Sequence, residues 1–161
     1  MKKGFYVLGI LRILLGLIFL WAFFDKVFGL GFATPVERAW INGISPTTGF
    51  LANAVTGPFA IIFRSLAGRG IVDWFFMLGL LGIGVSLTFG IFNKIANISG
   101  TVLMGLMWLA LLPTENHPFL DDHVIYAFLM ISFIIFKANN YLGFGKWWNG
   151  QKLVRKYSFL E

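Results

Sequence analysis

The chain has 161 residues, 58% of them hydrophobic and only 12% charged, with a mean hydropathy of +0.79 and a formal net charge of +6. Soluble domains average about 25% charged residues, so this balance excludes an ordinary soluble fold and points to one membrane domain. The lack of cysteine excludes disulfides, thiol redox chemistry, Cys-ligated iron–sulfur clusters and covalent c-type haem.

A span needs about 20 mostly apolar residues. The first apolar run, Gly4–Phe24, follows Lys2 and Lys3 and is interrupted only by Arg12. It is too long for a signal-peptide core and ends on Trp21, Phe23 and Phe24 with no small-residue cleavage site, so it is expected to be an uncleaved transmembrane helix over about 5–28. Gly9, Arg12, Gly16, Phe23 and Lys26 share one face at 3.6-residue periodicity, and that face should point into the bundle. Arg12 has two readings. It snorkels to the headgroups, or it turns inward and pairs with helix carbonyls or a ligand, as an intramembrane charge usually does.

The segment 29–70 carries AWINGISPTTGFL and TGPFAIIFRSLAG and is rich in apolar residues, but its apolar stretch after Pro58 is too short to span. Pro58 suits a helix start, after which Phe59, Ile62, Phe63 and Leu66 share a face. Short helices lying in the outer interface and roofing the bundle are expected. Two uncharged spans follow, about 71–92 (apolar core Trp74–Phe92) and 95–112 (Ile95–Leu112). Small residues recur every four positions at Gly82, Ser86 and Gly90 and at Ala96 and Gly100, a spacing that allows close helix approach in lipid.

The fourth span is expected over about 119–137, but its uncharged run, Val124–Phe136, is short. Thirteen residues at 1.5 Å each cover about 20 Å of a hydrocarbon core of roughly 30 Å. Its ends must therefore be built from Lys137 on one side and from His123, Asp122 and Asp121 on the other. Acids in a first helical turn favour the positive end of the helix dipole, which accounts for Asp121 and leaves His123 unexplained. Asp122 with Tyr126 and His123 with Tyr126 are spaced to form one hydrogen-bonded group.

An all-α, four-transmembrane-helix bundle puts both termini on one side. That side holds Lys2, Lys3, Lys94, Lys137, Lys146, Lys152, Arg155 and Lys156 with the single acid Glu161. Asp25, Glu37, Asp73, Glu115, Asp121 and Asp122 fall opposite with Lys26, Arg38, Arg64 and Arg69, most of these basic residues in a long loop where charges count less. Basic loops stay inside, so both termini are expected in the cytoplasm. The tail 138–161, with Trp147, Trp148 and Tyr157 among its basic residues, reads as an aromatic belt with a cationic patch on lipid headgroups rather than as a nucleic-acid surface.

His117 and His123 with the two aspartates lack a recognised metal spacing, and Pro118 separates them. Both histidines lie at one helix end, which does not suit axial ligation of a b-type haem in the bundle. A quinone fits better. It needs aromatic walls, here Trp21, Trp74, Trp108 and Tyr126, together with hydrogen-bond donors and a proton route. Histidine changes charge near physiological pH, and acids at membrane depth serve proton relays.

Arg12-x-x-x-Gly16, the Asp25-Lys26 pair, Trp40–Leu51, Asp73–Gly84, Asn116–His123 and Gly143–Trp148 occur in an order that resembles the DoxX family, including its DoxD-like members linked to thiosulfate:quinone oxidoreductase. The resemblance covers nearly the whole chain; His117 departs from the Asn more usual there. It implies a four-helix prokaryotic cytoplasmic-membrane protein in a quinone-linked oxidoreductase, with no built-in cofactor, a quinone as ligand and a protein partner or further copies of itself. On that expectation His123 and Asp122 are catalytic, with Asp122 orienting His123 or relaying the proton. Asp25, Lys26, Asp73, Trp74, Trp108 and Tyr126 line the quinone mouth. The alternative is a non-enzymatic scaffold or assembly factor that binds a partner helix or lipid.

Overall fold

A computed structural model describes residues 2–161, and among them the fold is helical with no strand. Helix α1 spans Lys2–Phe28, α4 Gly70–Phe89 and α5 Asn93–Leu111. These three are long and apolar enough to cross a membrane, and α6 (Asp122–Ile135) is a shorter apolar helix. Side chains such as Leu14, Ile18, Phe75, Leu78, Val102, Ile125 and Phe128 stand exposed along them. An apolar belt of that extent does not face water, and it marks the chain as a membrane protein.

Helix α1 packs along α4, α5 along α6, and α4 against α5. The core between them is Leu15, Phe19, Met77, Leu80, Ile83, Leu87, Met104, Met130 and Phe133. The closest helix approach is not made by the Gly82, Ser86 and Gly90 stripe. Gly84 faces the backbone of Leu20, Gly16 faces Thr88, and a Cβ on either would collide, while Gly82 meets nothing. Residues 82 and 84 lie about 200° apart on a helix, so period-four spacing alone does not tell which small residue meets the partner. Gly100 does pack against Met130 of α6.

Helix α4 ends three residues before the expected 92, because Gly90 turns left-handed (φ 77°) and its N–H returns to the Ser86 carbonyl. Arg12 is fully buried against this end. One guanidinium nitrogen donates to the Leu87 and Thr88 carbonyls, the other to those of Tyr141 and Leu142. The Phe144 N–H takes the Phe89 carbonyl at 2.9 Å. All four carbonyls that a helix end leaves unpaired are thus satisfied, and the cation sits at the negative end of the α4 dipole. The inward reading of Arg12 holds, with main-chain carbonyls as its partners.

Between α1 and α4 the chain forms α2 (Thr48–Asn53) and α3 (Ala60–Arg64), preceded by single turns at Val36–Arg38 and Trp40–Asn42. Leu51, Val55 and Ala60 join Ala110 of α5 in a second core, against which Phe50, Phe63, Leu66 and Val72 pack. The expected four-residue face of α3 is split. Phe63 and Leu66 turn inward, but Ile62 is exposed together with Ile61, which is 84% exposed. A five-residue helix has too little length to hold one face.

At the opposite end the tail forms α7 (Gly145–Asn149) and α8 (Lys152–Lys156) and folds back along the bundle. The Trp148 indole donates to the Leu160 carbonyl at 2.7 Å and packs against the Phe92 ring at a tilt of 54°. The Lys94 N–H donates to Glu161 O at 2.6 Å, so the tail satisfies a free donor in the first turn of α5.

Candidate functional site

The stretch that opens α6 is built as a cap. Asp121 is extended (φ −145°, ψ −176°), and its carboxylate accepts the N–H groups of His123 (3.1 Å) and Val124 (3.3 Å). Its other oxygen lies 2.7 Å from His123 Nδ1. With Asp121 ionised, Nδ1 donates and Nε2 is left to take up or release a proton. One carboxylate therefore caps the helix and orients the histidine. The expectation that Asp122 orients His123 is corrected: Asp121 makes that contact, and Asp122, the first helical residue, is exposed at the mouth beside it. His123 sits two residues after the cap, within reach of a side chain that already folds over the helix end.

The loop before the cap is tied down. The Thr114 hydroxyl donates to the His117 carbonyl, and His117 Nδ1 accepts the N–H groups of Phe119 and Leu120, each at 3.1 Å. His117 is thus committed to the turn. The Trp108 indole N–H donates to the Phe119 carbonyl at 2.8 Å, so Trp108 presents a ring face while its polar atom holds the loop.

His123 borders two spaces. One is an apolar groove of about 340 Å³ between α5 and α6, walled by Met104, Gly105, Trp108, Phe119 and Phe128 among others. The other is a wider polar mouth of about 510 Å³, lined by Thr56, Thr114, Glu115, Asn116, Asp121 and Asp122. The His123 side chain is 24% exposed and that of Asp121 18%. A proton can therefore pass between an apolar ligand and water across a single imidazole. Among the described residues no cluster of three or more His, Cys, Asp or Glu has metal-binding geometry.

The remaining expected mouth residues do not gather beside His123. Asp25, 2% exposed, accepts the N–H groups of Phe32 (3.2 Å) and Ala33 (3.1 Å) and fixes the exit from α1. Asp73, 7% exposed, accepts the hydroxyls of Ser45 (2.8 Å) and Thr47 (2.5 Å) and anchors the α2–α3 roof to α4. Both acids are consumed by loop backbone and hydroxyls that sequence spacing cannot match to them. Lys26 lines a separate cavity beneath the roof. Trp74 is exposed and stacks edge-on with Trp40 at 4.8 Å, outside any of these spaces. Trp21 is likewise exposed and meets Phe32 at 5.0 Å. Tyr126 packs against the central core rather than joining Asp122 and His123. Trp108 alone of these residues shares the groove with His123, joined by Met104, Phe119 and Phe128, apolar positions with no sequence signal to set them apart.

Asp73→Ala is expected to free the roof. Hydrogen bonds to a charged group contribute about 1.5–3 kcal/mol, and the variant should gain protease-sensitive sites within 44–69 while the rest of the chain stays protected.

No family model, curated protein or solved structure matches the chain.

Proposed function

We propose that the chain is a four-helix membrane subunit of a quinone-linked oxidoreductase, like the DoxX family it resembles. In this reading α1, α4, α5 and α6 cross the cytoplasmic membrane of a prokaryote, both termini are cytoplasmic, and α2 and α3 lie in the outer interface. The observation that supports it is the His123–Asp121 pair, at 2.7 Å, between an apolar groove and a polar mouth.

A quinone ring is flat, apolar and lipid-borne. The groove between α5 and α6 is bordered by exposed Phe119 and Phe128, so it is reached from the bilayer. The ring lies against Trp108 with one oxygen at His123. Reduction takes two electrons, supplied by a reduced partner protein, and two protons. His123 as imidazolium gives one proton to the quinone oxygen and is reprotonated through the polar mouth, which also supplies the second. In the reverse direction neutral Nε2 accepts a quinol proton. Asp121 holds the ring in place throughout. Arg12 has no part in this chemistry and holds the far end of the bundle together. There the basic residues Lys146, Lys152, Arg155 and Lys156, beside exposed Trp147 and Tyr157, rest on anionic headgroups.

The test is saturable binding of a short-chain ubiquinone by the purified protein, and quinol formation when its partner is present. Loss of both in His123→Ala supports the reading; binding that His123→Ala leaves unchanged contradicts it.

A second reading, a scaffold without catalysis, is favoured by the shallow groove where Gly79, Gly82 and Ser86 of α4 face Ala96 and Ser99 of α5. Small residues so placed admit the backbone of a partner helix. Recovery of a stoichiometric partner with protein that binds no quinone selects this reading.

A further inference from the structure

The cavity beneath the α2–α3 roof, about 210 Å³, lies on a different face of α5 from the His123 groove. It uses Leu103, Leu106, Met107 and Ala110, whereas the groove uses Met104, Gly105 and Trp108. At about 100° per residue these two sets point well apart. Phe50 and Phe63 from the roof and Phe76 from α4 close the space.

Lys26 is the one charged residue in the lining. The only other side-chain donor there, the Thr47 hydroxyl, is engaged by Asp73. Among the described residues no carboxylate lies within ion-pair distance of Lys26 Nζ. Adjacent Asp25 is turned to the N–H groups of Phe32 and Ala33. The Asp25 charge still favours the ammonium from beyond ion-pair distance, and the Phe76 ring has its centroid 6.0 Å away, at the limit of a cation–π contact. Lys26 is half-buried and its ammonium has, among the described residues, no ion-pair partner at the cavity wall, and a ligand that brings one anionic oxygen group supplies one.

We propose that the roofed cavity is a binding site for a small hydrophobic carboxylic acid, its carboxylate paired with Lys26 and its hydrocarbon body among Phe50, Phe63, Phe76 and Met107. The charge favours a monoanion, because a single cation leaves a phosphate dianion undercompensated and the walls offer no further donors. The size sets the body. A cavity of about 150 Å³ holds benzene, so this one takes a single ring or a medium-length chain and not a whole phospholipid. The site is independent of the quinone reading, since it shares no lining residue with the His123 groove.

The test uses the full chain in neutral-lipid nanodiscs with its lysines reductively methylated with carbon-13, which keeps their charge. The Lys26 signal is assigned by its absence in Lys26→Arg. Octanoate is expected to shift that signal saturably, and octanol at the same concentration is not. By calorimetry Lys26→Met should weaken octanoate at least tenfold. Three results overturn the proposal. They are a Lys26 signal that octanoate does not move, octanol that matches octanoate, and a short-chain ubiquinone that displaces octanoate from Lys26. The first readout needs only wild-type protein, so a misfolded variant does not mask the answer.

Discussion

Arg12→Met is expected to be among the most destabilising single substitutions in the chain. It removes the donor for four carbonyls, those of Leu87, Thr88, Tyr141 and Leu142. A buried acceptor left unpaired costs about 1–3 kcal/mol, and water entering from the tail side recovers part, so a net loss of about 3–5 kcal/mol is expected. Thermal unfolding in a mild neutral detergent measures it. Limited proteolysis adds a local sign, new cleavage between residues 137 and 144, because the guanidinium supplies most of the hydrogen bonds that tie that loop to α4, leaving only that of Phe144 N–H to the Phe89 carbonyl. Arg12→Lys keeps the charge but presents a point donor where a planar fork reaches both pairs, and it should fall between wild type and Arg12→Met. An Arg12→Met protein that unfolds at the wild-type temperature contradicts this role.

The second large effect belongs to the histidine and its cap. General acid–base groups contribute roughly 10²–10⁴-fold to rate, and His123→Ala should reduce quinol turnover by an amount in that range with little effect on unfolding. The two neighbouring acids divide more sharply. Asn caps a helix about as well as Asp, so Asp121→Asn should preserve α6 while removing the carboxylate from Nδ1; turnover falls and stability does not. Asp122→Asn alters an exposed first-turn residue and should leave turnover unchanged. The opposite ranking, with Asp122→Asn inactive and Asp121→Asn active, contradicts the assignment of Asp121 as the orienting group.

Much of this arrangement is legible in the residues. The three long helices follow from long apolar runs, broken only by Arg12 in the first, and the inward face of α1 from Gly9, Arg12 and Gly16. The shortness of the fourth apolar run places His123 at a helix end, and α6 begins at Asp122. The rest depends on relations that period and composition do not carry. Whether Asp121 or Asp122 meets His123 is decided by the extended backbone at the cap, which swings one side chain over the helix end and leaves the next outside. Asp25 and Asp73 look like mouth residues because they are acids near the ends of apolar helices. Their partners, Ala33 and Thr47 among them, lie in a loop whose path the sequence does not specify. The separation of Lys26 from His123 likewise follows from helical phase along α5, a helix that carries no charge within its membrane-facing length.

The most direct measurement is to locate the quinone. Irradiation of the membrane-embedded protein with a photoreactive short-chain ubiquinone, followed by peptide mass analysis, should label residues between 104 and 128, saturably and in competition with unlabelled quinone. His123→Ala should abolish that label. Labelling confined to the roof segment 46–76, or labelling that excess quinone does not suppress, contradicts a quinone site at His123.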